Sequence, residues 1–87
     1  MAEKRMIGRI RHYFSKIGVA VVELSDDIRV GDEIRIEGAT TSIEQVVESM
    51  EIENKKVELA TTGQSIGIKV RGKVRPNDCV YKLTGAE

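Results

Sequence analysis

The stretch Asp32-Glu33-Ile34-Arg35-Ile36-Glu37 alternates between charged and apolar residues without a break. Because successive side chains of a β-strand point to opposite faces, this pattern predicts a strand with Ile34 and Ile36 facing a core. The stretch Ser65-Ile66-Gly67-Ile68-Lys69-Val70-Arg71 has the same period, which predicts a second strand with its apolar residues inward. The chain is therefore predicted to be all-β.

Further strands are expected on both sides of these two. In the first of them, alternation places on one face Met6, Gly8, Ile10 and His12. The other face would carry Arg9, Arg11 and Tyr13. The apolar run Ile17–Leu24 predicts a strand that is covered on both faces or paired centrally, and Cys79–Leu83 predicts the last strand. Five to seven short strands separated by Gly, Asp, Asn and Thr are typical of a barrel or sandwich.

The segment 42–52 fits two kinds of structure. As a strand, it would place Val46, Met50 and Ile52 on one face. As a helix, it would begin with a capping-box-like sequence and carry an apolar stripe. The pattern favours the strand and leaves the helix open.

Two segments share a turn-like pattern. Ile28-Arg29-Val30-Gly31-Asp32-Glu33-Ile34 and Val74-Arg75-Pro76-Asn77-Asp78-Cys79-Val80 both run from an apolar residue and Arg, through Gly or Asn, to Asp and a strand. Gly and Asn tolerate left-handed backbone angles, and Pro fixes φ at a turn. The echo therefore predicts the same turn before two strands, not a functional repeat.

Length and composition predict one small domain. The 87 residues are expected to form a single domain, 1–87, with frayed ends at 1–5 and 84–87. Aromatic residues make up only 3% of the chain, so Ile, Val, Leu and Met must form the core. With one cysteine, Cys79, and one histidine, His12, the chain has no internal disulfide and no four-ligand zinc site.

The same composition bears on location. No apolar stretch approaches the roughly 20 residues that cross a bilayer, and the N-terminal residues do not resemble a signal peptide. A cytoplasmic protein without a membrane partner is therefore expected.

Charge is balanced overall but unevenly distributed. Residues 1–19 carry a net charge of +4, residues 20–58 of −7 and residues 59–87 of +3, which gives zero for the chain. If folding brings the terminal segments together, their positive charge should form one basic face. Such a face is suited to an RNA backbone.

No catalytic constellation is evident in the sequence. Gly63–Lys69 has one residue too few between its glycines for a phosphate-binding loop, so a turn is favoured there. His12 is a possible base and Ser15 a possible nucleophile, but no carboxylate that would orient the histidine is evident. Asp78 beside Cys79 disfavours a thiolate at the cysteine. The chain is therefore predicted to be no enzyme and to bind no cofactor, metal or nucleotide.

The ordered set of motifs resembles a known family. It consists of Gly8-x-Ile10, Phe14-Ser15-Lys16-Ile17-Gly18-Val19-Ala20-Val21-Val22-Glu23-Leu24, Val30-Gly31-Asp32-x-Ile34-x-Ile36-x-Gly38, Val47-Glu48-Ser49-Met50-x-Ile52, Gly63-Gln64-x-Ile66-Gly67-Ile68-Lys69-Val70 and Asp78-x-Val80. It is similar to the second domain of translational GTPases such as elongation factor Tu, and most similar to short stand-alone elongation-factor-like proteins. A similar barrel is appended to some collagenase-type peptidases.

The resemblance implies a closed, six- to seven-stranded antiparallel barrel in which segment 42–52 is a strand. It also implies a translation-related binding module that contacts transfer RNA or ribosomal RNA constitutively, because the GTPase domain is absent. The candidate RNA-binding residues are Arg9, Arg11, Tyr13, Phe14, Lys16, Lys69, Arg71, Lys73 and Arg75. The alternative is a protein-interaction barrel that docks on a peptidase, a GTPase domain or a second copy, with its acidic middle facing a basic partner.

Overall fold

The computed structural model describes residues 3–84, which contain ten β-strands. The strands are β1 (Glu3–Phe14), β2 (Val19–Leu24), β3 (Ile28–Arg29), β4 (Glu33–Glu37), β5 (Ser42–Val46), β6 (Met50–Ile52), β7 (Lys55–Val57), β8 (Leu59–Ala60), β9 (Ser65–Lys69) and β10 (Cys79–Thr84). The predicted all-β class is confirmed. No helix in this part of the chain is long and apolar enough to cross a membrane.

Eight strands form one sheet in the order β5-β4-β10-β1-β2-β9-β6-β7, and β3 pairs with β8 in a second, short sheet. All the pairings are antiparallel. The first and last strands are neighbours, with Glu3 opposite Thr84, so the terminal segments meet as predicted. Of the segments expected to fray, residues 3–5 and 84 lie in these strands, and positions 1, 2 and 85–87 lie outside the described residues.

The core lies on one face of the sheet and contains no aromatic residue among the described side chains. Its members are Ile7, Ile10, Ala20, Val22, Leu24, Ile28, Ile34, Ile36, Val47, Met50, Ala60, Ile66, Ile68, Val70, Val74 and Val80. The predicted inward positions of the two alternating strands, β4 and β9, are all among them. A core of aliphatic side chains follows from the scarcity of aromatic residues.

Strand β1 departs from the predicted alternation at two places. Its register shifts against β10 between Met6 and Gly8, and against β2 between Ile10 and His12. Each shift reverses the face to which the following side chains point, because two residues then oppose one on the partner strand. The prediction that Met6 and His12 share one face with Gly8 and Ile10 is therefore wrong, and Ile7 is buried beside Gly8.

Segment 42–52 is extended, which agrees with the strand that the resemblance implied. It is divided into β5 and β6 by residues 47–49. Val46 is 43% exposed while Val47 is 2% and Met50 1% exposed, so the prediction that Val46 shares a face with Met50 is wrong. The reason is that Val47 leaves the β4–β5 ladder and exchanges two backbone hydrogen bonds with the turn before β4.

The two echoed segments form the same turn, as predicted. In Arg29–Asp32 and Arg75–Asp78, the N–H of the fourth residue donates to the carbonyl of the first at 3.1 Å. The third residues, Gly31 and Asn77, have φ angles of 99° and 75°, as type II turns require. In both turns the carboxylate of the Asp accepts the N–H of the Arg.

A third turn, Thr61–Gln64, has this geometry without the sequence echo. Gly63 has a φ of 89°, and the side-chain oxygen of Gln64 accepts the N–H of Thr61 at 2.7 Å. Each of the three turns precedes a strand and exchanges two backbone hydrogen bonds with one residue elsewhere in the chain. The partner is Val47 for the turn at Arg29, Leu24 for the turn at Thr61 and Ile10 for the turn at Arg75. The glycines of the rejected phosphate-loop candidate therefore belong to this turn and to β9.

The predicted closure and number of strands are not confirmed. The strand ladder ends at β5 on one side and at β7 on the other. Between β5 and the end of β9, side-chain hydrogen bonds replace a ladder, because the Gln45 amide donates to the Lys69 carbonyl at 2.7 Å and accepts from the Arg71 N–H at 2.9 Å.

Candidate functional site

The predicted basic face is divided by the topology. Strand β2 lies between β1 and β9, so Lys69 is not beside Arg9 or Arg11. Strand β9 ends at Lys69, and Arg71 lies in a bend, so the expected stripe through residues 69–75 does not continue along one strand. Lys16 lies in the turn between β1 and β2.

Acidic side chains also neutralise part of this face. An Arg11 guanidinium nitrogen lies 3.7 Å from a carboxylate oxygen of Glu23, and Arg9 is opposite Glu23 in the β1–β2 register. Nearer the N-terminus, Lys4 pairs with Glu37 at 2.9 Å and Arg5 pairs with Asp26. The terminal segments meet, but carboxylates of the acidic middle segment lie between their cations.

The side chains of Tyr13 and Phe14 enter different depressions. The register shift after Ile10 turns His12 and Phe14 to the outer face of the sheet and Tyr13 towards the core. The rings of His12 and Phe14 pack edge to face with their centroids 4.4 Å apart. The structure therefore does not bring Tyr13 and Phe14 together on one stacking surface.

The first depression, which we call the outer groove, has a volume of about 380 Å³. Its lining residues are Phe14, Ile17, Val19, Val21, Glu51, Glu53, Asn54, Ser65, Ile66 and Gly67. Phe14 and Ile17 are 46% and 61% exposed. Strand β2 is central, as predicted, but its outer face is not covered, so Val19 and Val21 are half-buried.

Gly67 forms the floor of the outer groove. It lies opposite Val21 in the β2–β9 register and opposite Glu51 in the β6–β9 register. A Cβ at this position would lie 3.3 Å from a methyl carbon of Val19. The missing side chain leaves the sheet backbone accessible between the valines and the acidic rim.

The second depression, which we call the end cleft, has a volume of about 470 Å³ and lies where three connections meet. The lining residues are Tyr13, Ser15, Thr40, Thr41, Lys73, Val74 and Arg75. Val74 and Thr41 are buried, and the Thr41 carbonyl accepts a hydrogen bond from the Gly38 N–H at 2.9 Å. The cleft thus unites three of the predicted residues, Tyr13, Lys73 and Arg75, with hydroxyl groups.

Sequence analysis missed most of the residues in both depressions. Ile17 gave no signal, because the apolar run Ile17–Leu24 was predicted as one strand, whereas Ile17 lies in the turn before β2 and is 61% exposed. The uncovered face of β2 could not be inferred, because a continuous apolar run does not show which elements pack on it. Ser15 and Thr40 are ordinary turn residues and gave no signal.

Of the three residues considered for catalysis, Ser15 lies in the turn after β1, and His12 and Cys79 lie on different strands of the sheet. His12 is exposed on the outer face of β1, opposite Val21. Cys79 is half-buried in β10, opposite Arg9 and Glu37. Among residues 3–84, no group of three or more His, Cys, Asp and Glu side chains is arranged to hold a metal ion.

Comparison with curated proteins finds peptidase-related sequences. The chain is 45% identical over 78 residues to an uncharacterised protease of Methanocaldococcus jannaschii. This match covers 88% of this chain and 19% of the protease. The chain is also 45% identical over 87 residues to a collagenase of Porphyromonas gingivalis, covering 98% of this chain and 24% of the collagenase. The chain therefore spans about a quarter or less of the curated relatives that it matches. No protein-family model matches the chain.

Comparison with solved structures agrees with these relatives. The C-terminal domain of a Geobacillus thermoleovorans protein described as a U32 peptidase superposes with a TM-score of 0.83 and 25% identity. The match covers 87% of this chain and 89% of that domain. The fold is thus one that occurs at the C-terminus of a peptidase-type protein.

These findings overturn the predicted function. The elongation-factor-like identity, the role in translation and the RNA-binding assignment are wrong, since the relatives are named protease, collagenase and U32 peptidase. The quoted motifs consist of turn glycines, turn aspartates and alternating aliphatic residues, which report a small antiparallel fold and not the ligand bound on it. Ligand contact by the nine predicted residues stays a prediction.

Proposed function

We propose that this chain is a peptidase-related domain that binds polypeptide in the outer groove and has no catalytic activity of its own. Relatives that are 45% identical to it carry the names protease and collagenase, and the matched region is about a quarter or less of their length. Most of each relative lies outside the region shared with this chain, which leaves room for catalytic residues elsewhere.

The exposed apolar surface of the outer groove is the observation that carries the proposal. Phe14 and Ile17 project from the end of β1 and the following turn, and Val19 and Val21 continue the apolar surface along β2. Four apolar side chains around one depression favour an interaction site there, because their burial against a partner is favourable.

The shape of the groove favours an extended polypeptide. Gly67 leaves a floor without a side chain, on which a main chain can lie close to the sheet. Apolar side chains of the ligand would contact Phe14 and Ile17. Its main-chain amides would face Asn54, Ser65 and the carboxylates of Glu51 and Glu53, which line the same groove.

The absence of catalysis is part of the proposal. The register supports it, since Cys79 lies opposite Arg9 and not opposite His12, and a nucleophile and its base must lie within hydrogen-bond reach. The closed barrel also belongs to the proposal, and the Gln45 bridge between β5 and the end of β9 supports it. The cytoplasmic location stays a prediction of the sequence.

The proposal is tested by titrating the isotopically labelled chain with gelatin, a denatured form of collagen. We expect chemical-shift changes around Phe14, Ile17 and Gly67 and no cleavage of the gelatin. Phe14→Ala and Ile17→Ala together should weaken binding about tenfold, since each removes part of the ~1.5–3 kcal/mol that burying such a side chain yields.

The matched control is Leu59→Ala, because Leu59 is 48% exposed but lies outside the groove. This variant should bind gelatin like the unmodified chain. Equal binding by the groove variant and the control would refute the assignment of the groove. Cleavage of gelatin by the purified chain would refute the absence of catalysis.

A further inference from the structure

We infer that the end cleft binds a carboxylate group of the polypeptide ligand, either its C-terminus or an acidic side chain. This inference rests on the proposed function, since it specifies what the same ligand presents to a second site. The two sites are adjacent along the chain: Tyr13 and Ser15 line the end cleft, whereas Phe14 and Ile17 line the outer groove. One extended ligand that passes the β1–β2 turn can reach both.

The end cleft is lined by donors that suit an anionic oxygen. Lys73 supplies an ammonium group and Arg75 a guanidinium group, which binds carboxylates in a forked geometry. Ser15, Thr40 and Thr41 supply hydroxyl groups, and Tyr13 supplies a phenol at the inner wall. The volume of the end cleft, about 470 Å³, is within the range of small-molecule sites.

The charges of the cleft are not balanced by the protein itself. Among the side chains described for residues 4–83, no carboxylate lines it and neither Lys73 nor Arg75 forms an ion pair. The nearest acidic residue in sequence, Asp78, is buried and its carboxylate accepts the backbone N–H of Arg75 at 2.9 Å. By contrast, Arg11 on β1 is already paired with Glu23.

The walls of the cleft are held by buried structure, so the backbone that carries the donor side chains is arranged before a ligand binds. Val74 is 3% exposed and Thr41 6% exposed, which fixes the backbone on both sides. The Arg75–Asp78 turn is tied to β1 by the hydrogen bonds that Ile10 exchanges with Asn77 and Asp78. Such preorganisation reduces the ordering cost of binding.

A carboxylate fits better than a nucleic acid. A polynucleotide needs a continuous track of unpaired cations, since its affinity depends on the number of phosphates neutralised. The cations of β1 are paired with or opposite Glu23, Asp26 and Glu37, so the track is interrupted along β1. Two cations with neighbouring hydroxyls match one small anionic group.

The test uses four acetylated peptides of one apolar sequence. The first ends in a free carboxylate and the second in an amide; the third and fourth are amides with one internal Glu or Gln. Nuclear magnetic resonance titration of the full chain gives the affinities and the residues affected. We expect the Glu peptide or the free acid to bind about fivefold more tightly than its neutral counterpart, with shifts at Ser15, Thr40 and Lys73, because charge-assisted hydrogen bonds favour the anion.

Lys73→Gln and Arg75→Gln should abolish this discrimination, while Lys56→Gln, at an exposed lysine of β7, should preserve it. The backbone N–H of residue 75 can still donate to the Asp78 carboxylate in these variants, so the fold should persist. Amide spectra of the variants verify that they are folded. A difference in affinity between the free acid and its amide would identify a C-terminal carboxylate, and a difference between the Glu and Gln peptides would identify an acidic side chain. Equal affinity for all four peptides would overturn the inference, as would tighter binding of a short ribo-oligonucleotide through the same two residues.

Failure of the inference and failure of the proposed function give different results. Peptide binding that depends on Phe14 and Ile17 but ignores the carboxylate overturns only the inference. If no peptide binds, the proposed function fails, and N-acetylglycine then tests the cleft alone. Shifts at Ser15 and Lys73 that disappear in Lys73→Gln would support the cleft as a carboxylate site, and unchanged spectra would overturn it.

Discussion

The Arg29–Asp32 and Arg75–Asp78 turns have the same backbone geometry in different surroundings. In each, the Asp carboxylate accepts the N–H of the Arg, at 3.0 and 2.9 Å. Asp78 is buried and lies against Gly38, whereas Asp32 is half-buried and the Lys82 ammonium lies 3.5 Å from its carboxylate. Local sequence thus determines the turn, and tertiary packing determines how much stability depends on it.

The largest difference between the two turns should come from Gly38→Ala. A Cβ on Gly38 would overlap the Asp78 carboxylate oxygen and lie 2.6 Å from its carboxyl carbon. Asp78 would have to leave its hydrogen bond with Arg75, so we expect a loss of about 3 kcal/mol in the free energy of unfolding. Denaturant titration measures this loss. Gly72→Ala is the control, since its Cβ would meet only the flexible end of the Ile43 side chain, and an equal loss there would contradict the argument.

Removal of each carboxylate measures the same contrast directly. Asp78→Ala leaves the N–H of Arg75 without its acceptor in a partly buried setting and should cost about 2 kcal/mol. Asp32→Ala exposes the N–H of Arg29 to water and should cost about 1 kcal/mol, as loss of a capping side chain does. Thermal unfolding of both variants, with Asp27→Ala as an exposed control, tests the order. Equal losses would mean that burial does not distinguish the turns.

A smaller difference is expected at the third turn residue. A methyl group added at Gly31 would have no neighbour within 4 Å, so Gly31→Ala costs only the left-handed backbone strain, about 1–2 kcal/mol. Asn77→Ala should cost less, because the native Asn already bears part of that strain, and Asn77→Gly should leave stability nearly unchanged. Denaturation midpoints check this order, and a larger loss for Asn77→Ala than for Gly31→Ala would reverse it.

The smallest effect concerns acid stability at the end of β4, next to Gly38. The hydrogen bond from the Lys4 ammonium lowers the pKa of the Glu37 carboxyl below its ordinary value, and the charges of Lys4 and Arg35 lower it further. Because the folded pKa is the lower one, this group stabilises the fold above the ordinary glutamate pKa of about 4.3, and the contribution is lost as pH falls through the folded value. Lys4→Met should raise the Glu37 pKa in a nuclear magnetic resonance titration. An unchanged pKa would exclude Lys4 as the main cause.

The sequence predicted the strands better than their faces. The alternation of β4 and β9 identified buried residues such as Ile34 and Ile68, because these strands are regular and have one covered face. In β1 the same rule failed at Met6 and His12, since a register shift depends on the partner strand and leaves no local signal. At Val46 it failed because Val47 pairs with a turn from another part of the chain.

The candidate site was predictable only in fragments. Tyr13, Lys73 and Arg75 were named from the sequence, but as members of an RNA-binding face that included Phe14. The structure separates Phe14 from them and adds Ser15, Thr40 and Thr41, which are remote from Lys73 in sequence. Neither depression corresponds to a sequence motif, because each is formed by residues from several strands or connections that are distant in sequence.

The amino-acid sequence alone determined the all-β class, the aliphatic core and the two Arg-x-x-Asp turns. These features depend on side-chain period, composition and the φ preferences of Gly, Asn and Pro, which are local properties. Tertiary structure alone decided that Thr61–Gln64 forms the same turn, that Phe14 faces outward and that carboxylates interrupt the basic face. Those features depend on strand register and on contacts between distant segments, which no local pattern encodes.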